Sequence, residues 1–101
     1  PKAQALSKFP EVSRDLAMVV SSEVPAAKIL ANVRENAGDY LSNSRIFDVY
    51  QGDGVEKGKK SIALGLTWQH PSRTLSDDEI NKIISSCVNG LHEQFNANLR
   101  D

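Results

Sequence analysis

Hydrophobic residues recur along the chain with two periods, one near 2 and one near 3.6, and these periods predict its elements. Arg14-Asp15-Leu16-Ala17-Met18-Val19-Val20 is a short apolar run bounded by Phe9-Pro10 and Ser21-Ser22, which predicts a first strand. Pro25 then stands where a first helical residue loses nothing by lacking an N–H. Ala26, Ile29, Leu30, Val33 and Ala37 follow at helical spacing and Gly38 supplies a stop, predicting a helix over about 25–37. Arg45-Ile46-Phe47-Asp48-Val49-Tyr50, rich in β-branched and aromatic residues, predicts a second strand. Residues 51–59 carry three glycines and predict a loop. A third strand over about 60–69 alternates most cleanly, with Ile62, Leu64, Leu66 and Trp68 on one side and Ser61, Ala63, Gly65 and Thr67 on the other. It is expected to pair antiparallel with the second.

Ser76-Asp77-Asp78-Glu79 has the form of a capping box, with carboxylates at the positive end of a helix dipole. Ile80, Ile83, Ile84, Cys87, Val88, Leu91 and Phe95 continue it as one apolar stripe, in which Gly90 costs roughly 1 kcal/mol relative to Ala. Ala97-Asn98-Leu99-Arg100 predicts a short last strand.

Strand, helix, strand, strand, helix, strand is the ferredoxin-like split βαββαβ pattern. The expected fold is α+β: a four-stranded antiparallel sheet with both helices on one face, because the crossovers are right-handed. The expected core face carries Leu16, Met18, Val20, Phe47, Val49, Ile62, Leu64, Leu66, Trp68 and Leu99. The bare face then carries Asp15, Ala17, Val19, Ile46, Asp48, Tyr50, Ser61, Ala63, Gly65, Thr67, Asn98 and Arg100.

With 101 residues, 40% of them hydrophobic, the chain suffices for one domain and one modest core. No apolar run approaches the roughly 18 residues of a membrane span. Pro1-Lys2-Ala3 begins without Met or a hydrophobic leader and reads as a cut end. Residues 1–8 are expected to tether a preceding domain, and 9–101 to form the folded unit. Cys87 is the only cysteine, so no internal disulfide is expected, and one thiol with two distant histidines does not suggest a metal site. A reducing, cytoplasmic setting follows from that usage.

Twelve basic and thirteen acidic residues give a net charge of −1, which argues against indiscriminate nucleic-acid binding. The distribution alters that picture. The predicted helices hold Lys28, Arg34 and Lys82 against Glu35, Asp77, Asp78, Glu79 and Glu93, leaving a slight positive excess elsewhere. An RNA partner would suit the face away from the helices.

Several residues carry candidate chemistry. Tyr50 offers a base a stacking plane or, alternatively, shields a sheet edge. Arg14 and Arg100 suit phosphates, although Arg14 could equally pair with Asp15 or Asp48. Lys57, Lys59 and Lys60 form a basic loop that suits either an RNA backbone or plain solvent. The glycines of that loop lack phosphate-loop spacing and read as turn formers. Arg73-Thr74-Leu75 is expected to position the second helix. His70 and His92 are isolated, and Cys87 sits on an apolar stripe as an inert thiol. Asp15 and Asp48, if they face each other on adjacent strands, fit an ion-pair network with arginines better than acid–base work, since no apolar pocket raises a carboxyl pKa.

Ser7-Lys8-Phe9-Pro10-Glu11-Val12-Ser13-Arg14-Asp15-Leu16-Ala17 resembles the opening of the ferredoxin-fold anticodon-binding domain that ends the beta chain of bacterial phenylalanyl-tRNA synthetases. Three further blocks are similar to the same family and arrive in its order: Phe47-Asp48-Val49-Tyr50 with Gly52 and Gly54; Gly58-Lys59-Lys60-Ser61-Ile62-Ala63; and Arg73-Thr74-Leu75-Ser76-Asp77-Asp78-Glu79. The closing Ala97-Asn98-Leu99-Arg100 fits as well, so the likeness spans Ser7 to Arg100. It implies a domain without catalytic residues or cofactors that packs its open sheet face on the anticodon stem and loop of tRNA(Phe). It also implies a cytoplasmic parent enzyme of two alpha and two beta chains, whose alpha chain uses ATP and magnesium for aminoacylation. Arg14, Asp15, Ala17, Asp48, Tyr50, Lys60, Ser61, Ala63 and Arg100 are then the candidate RNA contacts. Gly65 and Gln69 depart from the family, in which longer or basic side chains are common on the open face.

Two rival readings differ in class. Acylphosphatases share this topology but hold phosphate with an arginine after the first strand, where this chain has Ser21-Ser22-Glu23-Val24-Pro25 and an acid that repels it. A structural or regulatory module pairing through the bare sheet would suit its small side chains.

Overall fold

The computed structural model describes residues 9–100, and the expected tether over 1–8 lies outside them. Six elements follow in the expected order: β1 Val12–Ser21, α1 Ala26–Asn36, β2 Leu41–Tyr50, β3 Lys59–Trp68, α2 Asp77–Phe95 and β4 Asn98–Leu99. They form one four-stranded sheet in the order β2-β3-β1-β4, antiparallel at every pairing, which is the ferredoxin-like arrangement. No helix among the described residues is long and apolar enough to cross a membrane.

The register of β3 sorts the sheet into two faces, because directly opposed residues point the same way. Leu64 faces Leu16 and Ile46; Ile62 faces Met18 and Val49; Leu66 and Trp68 share their side. This is the helix side. Met18, Ile62, Leu64, Leu66 and Trp68 are completely or almost completely buried there against Ile29, Val33, Ile80, Cys87 and Leu91 of the helices.

Strand β2 departs from expectation in two ways. It begins at Leu41, four residues early, because pairing with β3 holds the polar Ser42-Asn43-Ser44 stretch extended. It also carries irregularities between Leu41 and Asn43 and between Ile46 and Asp48. A bulge places an extra residue on one strand and resets the alternation beyond it. Ile46, expected on the bare face, therefore packs against the core. Phe47, expected in the core, is 45% exposed. Val49 and Leu99, also expected in the core, oppose core residues but are 54% and 53% exposed, because they ride edge strands beyond the cover of the helices.

Helix α2 starts on the expected capping box. Ser76 Oγ accepts from Glu79 N–H at 3.2 Å, and Glu79 Oε1 accepts from Ser76 N–H at 2.9 Å. The Arg73 guanidinium clasps the same carboxylate through two hydrogen bonds of 2.7 and 2.5 Å, so Arg73 does help to position this helix. The helix ends on Asn96 in the left-handed conformation, which Asn tolerates better than most residues. Where α1 meets α2, the buried Asn32 donates to Gly90 O at 3.1 Å and to Gln94 Oε1 at 2.6 Å, while Asn36 donates to Asn32 O at 2.8 Å. Gly90 is what lets the asparagines in. A Cβ there would overlap Asn36 Nδ2 and lie 2.8 Å from Asn36 Cγ and 2.9 Å from Asn32 Oδ1. Trp68 Nε1 ties the far end of α1 down by donating to Ala37 O at 2.9 Å.

Gly90→Ala is accordingly expected to lower the thermal midpoint by a few degrees. The overpacking cost of about 1–3 kcal/mol outweighs the roughly 1 kcal/mol that Ala adds in helix propensity. A raised midpoint in a circular-dichroism melt would show that Asn36 swings aside at no cost. The capping box generates a second expectation. The Arg73 guanidinium, and then the Ser76 N–H, hold the Glu79 carboxyl down to about 2 from an ordinary 4.5. A depressed folded-state value stabilises fully above the unfolded value, and that contribution is lost as pH falls from about 4.5 toward 2. Glu79→Gln is expected to lower the urea midpoint at pH 7 and to lose stability less steeply than the parent across that acid window. Acid limbs of equal slope would contradict it.

Candidate nucleic-acid interface

The face left bare by the helices is built from alternate residues of all four strands. Strand β3 gives Lys59, Ser61, Ala63, Gly65 and Thr67, and β1 gives Ser13, Asp15, Ala17, Val19 and Ser21 opposite them. Strand β2 gives Asn43, Arg45, Asp48 and Tyr50. The β4 side gives Asn98 opposite Val19, and Arg100, whose backbone N–H reaches Ala17 O at 2.9 Å. Seven of the nine candidate RNA contacts stand on this face: Asp15, Ala17, Asp48, Tyr50, Ser61, Ala63 and Arg100. The small side chains of Ala17 and Ala63 make the middle of the face shallow, while Ser61 lies under Arg100 and Gly65 under Phe47 and Arg45.

One end of this face is tightly organised. Arg100 crosses β1 to reach β3, where its Nη1 donates to Ser61 Oγ at 3.1 Å. Its guanidinium carbon stands 5.5 Å from the centre of the Tyr50 ring, within the range of a cation–π contact. Tyr50 Oη donates in turn to Asp53 O at 2.9 Å. The loop between β2 and β3 can fold onto the ring only through its glycines. Gly52 and Gly54 have φ of +144° and +88°, and a Cβ on Gly52 would lie 3.0 Å from Tyr50 Oη. The glycines thus act as turn formers and also as clearance for Tyr50. Ser61, beneath Arg100, is only 6% exposed. Among the described residues Arg100 makes no ion pair, so its charge is uncompensated by any carboxylate.

Two expected contacts belong to the other side. Arg14 opposes Leu66 on the helix side and pairs with Asp77 at 2.8 Å, at the start of α2, not with Asp15 or Asp48. Lys60 opposes Val20 on that side and donates from Nζ to Val24 O at 2.7 Å, pinning the loop before α1. Both corrections have one cause: these residues share the parity of Leu16 and Ile62, and strand alternation carries them away from the open face. The expected carboxylate network does not form either. Strand β3 runs between Asp15 and Asp48, and among the described residues neither makes an ion pair. Lys59 does face the open side, with Glu56 at 3.8 Å. Gln69 donates to Phe9 O at 3.0 Å, which occupies its side chain.

Phe47, expected in the core, and Arg45, given no role from the sequence, also stand on this face. Phe47 is turned out by the bulge: a Cβ on Gly65 would lie 3.5 Å from its ring. The Arg45 guanidinium carbon lies 5.2 Å from the centre of that ring. Elsewhere the side chains have local partners. His70 stacks at a tilt on Tyr40, with ring centres 4.2 Å apart, and His92 meets Ala97 O at 3.1 Å. Cys87 is fully buried, and burial pushes its thiol up to about 11, which keeps it protonated and unreactive. Among the described residues no three His, Cys, Asp or Glu side chains cluster as metal ligands would.

Known proteins with similar sequences bear on this face. The family described as the ferredoxin-fold anticodon binding domain matches residues 7–100. The phenylalanine–tRNA ligase beta subunit of Pseudomonas fluorescens (strain Pf0-1) is 52% identical over 100 residues, which cover 99% of this chain and 13% of the relative. That of Pseudomonas syringae pv. tomato is 53% identical over the same share of each. That of Coxiella burnetii is 48% identical over 101 residues, again 99% of this chain and 13% of the relative. The chain therefore spans about 13% of the length of these relatives. An open sheet backed by two helices, and a match that runs nearly end to end, agree: this chain belongs to the ferredoxin-fold anticodon binding domain family.

Proposed function

We propose that this chain is the tRNA-binding domain of a phenylalanine–tRNA ligase beta subunit and lays its open sheet face on the anticodon stem and loop of tRNA(Phe). One observation carries the reading: Arg100, without an ion-pair partner among the described residues, is held beside the Tyr50 ring and Ser61 on a face no helix covers. Single-stranded RNA is recognised by unstacking its bases onto aromatic planes and reading their edges with polar side chains. Tyr50 supplies the plane. The exposed carboxylates of Asp15 and Asp48 accept hydrogen bonds from base amino groups or ribose hydroxyls, while the buried Ser61 holds Arg100 in place. Arg100 supplies a fork for phosphate. Ala17 and Ala63 keep the surface low enough for a nucleotide to reach the backbone.

Three cations, Arg45, Lys59 and Arg100, share the face with Asp15 and Asp48. So few cations suit modest, salt-dependent binding, which matches a domain that adds discrimination to a larger RNA contact. Aminoacylation, with its ATP and magnesium, belongs in this reading to the alpha chain. The partners are the rest of the beta chain and the alpha chain, in a cytoplasmic assembly of two of each.

Tyr50→Ala in the ligase is expected to weaken tRNA(Phe) binding by about 1–3 kcal/mol, the range for one base–aromatic stack. Arg100→Ala is expected to weaken binding and to flatten its salt dependence, while Lys82→Ala on the outer side of α2 leaves both unchanged. Filter binding across salt concentrations checks this. Loss of affinity in Lys82→Ala with neither sheet variant affected would move the RNA to the helix side.

A further inference from the structure

We infer that Phe47, together with Arg45, is a second stacking platform on the open face, taking a nucleobase of the bound RNA other than the one on Tyr50. The inference rests on the open-face reading above and adds a residue that the sequence pattern had assigned to the core. Three observations converge on it. The bulge between Ile46 and Asp48 turns the ring away from the helices and lays it beside Gly65, whose missing side chain leaves room for the ring and for the Arg45 stem. The ring is left 45% exposed, so it gives up core burial that Ile46 takes in its place. An arginine stands over it at 5.2 Å, repeating farther back along β2 the arginine-over-aromatic pair that Arg100 and Tyr50 make.

The spacing fits a particular kind of ligand. Phe47 and Tyr50 lie three residues apart on β2, and the bulge shortens the path, so their platforms stand about 7–10 Å apart. Stacked neighbouring bases are separated by only about 3.4 Å. Two platforms at the wider distance suit bases pulled out of their stack, as in the loop of a hairpin, and do not suit a continuous helix. A guanidinium beside each ring meets the phosphate of the nucleotide whose base lies on that ring, and matches it in charge.

The test uses the ligase that contains this domain, with tRNA(Phe) as the probe, and compares Phe47→Leu, Phe47→Tyr, Arg45→Gln and Tyr50→Ala. Phe47→Leu keeps an apolar group and removes the plane; it is expected to bind roughly 5- to 150-fold more weakly. Phe47→Tyr keeps the plane and is expected to bind like the parent. Arg45→Gln is expected to reduce the slope of log affinity against log salt by about 0.7, the loss of one single-strand phosphate contact. If Tyr50→Ala weakens binding and Phe47→Leu does not, the second platform is wrong and the open-face reading stands. If neither variant weakens binding, both fail. If Phe47→Tyr binds as poorly as Phe47→Leu, the ring is structural and the inference fails. It fails equally if Phe47→Leu leaves tRNA affinity intact but loosens assembly of the subunits, for then the ring faces protein.

Discussion

A four-stranded sheet has two faces, and two helices suffice to cover one. Everything else in this molecule follows from how the chain manages that asymmetry. Strand β3, paired on both sides, carries the division most sharply: Ile62, Leu64, Leu66 and Trp68 are buried under helices while Ser61, Ala63, Gly65 and Thr67 look the other way. The buried row sets the register of both neighbours, since a slip of one residue would exchange the faces of a whole strand. The helices are in turn fixed to each other by a polar contact, Asn32 and Asn36 against Gly90, and to the sheet by Trp68 under Ala37. The rigid layer frees the other face from any duty in holding the fold together. That face can be small, polar and charged without cost to the core.

Much of this was legible in the sequence, for physical reasons. A strand paired on both edges with one face buried must alternate, so the residues of β3 and the buried residues of β1 could be assigned by period. The capping box and the apolar stripe of α2 announced that helix because both depend on local spacing. The same rule left Arg14 and Lys60 out of the expected open-face row, since each shares parity with a core residue; their charge alone made them candidate contacts. What sequence could not supply was the bulge in β2. Nothing in Ile46-Phe47-Asp48 marks an extra residue, and one insertion exchanges the sides of Ile46 and Phe47. Exposure of Val49 and Leu99 was hidden for another reason. Their side of the sheet follows from pairing, but how far the helices reach over an edge strand depends on tertiary packing.

The open face is organised by arginine. Arg100 holds Tyr50 and Ser61, and Arg45 lies over Phe47, so each aromatic ring carries a cation beside it and no carboxylate neutralises either cation among the described residues. Elsewhere the arginines behave differently. Arg14 and Arg73 are matched to carboxylates at the start of α2, where they serve the helix end. The contrast separates the arginines that brace the start of α2 from the two that stand beside rings on the open face. In the function proposed above, these arginines beside flat rings would meet an unstacked nucleotide.

Carboxylate labelling of the ligase, with and without tRNA(Phe), tests the assignment of faces most directly. Asp15 and Asp48 are exposed on the open face and Asp78 is exposed at the start of α2, so one carbodiimide reaction reports on both sides of the sheet. The account predicts that bound tRNA protects Asp15 and Asp48 and leaves Asp78 as reactive as before. Protection of Asp78, with Asp15 and Asp48 still fully labelled, would contradict it.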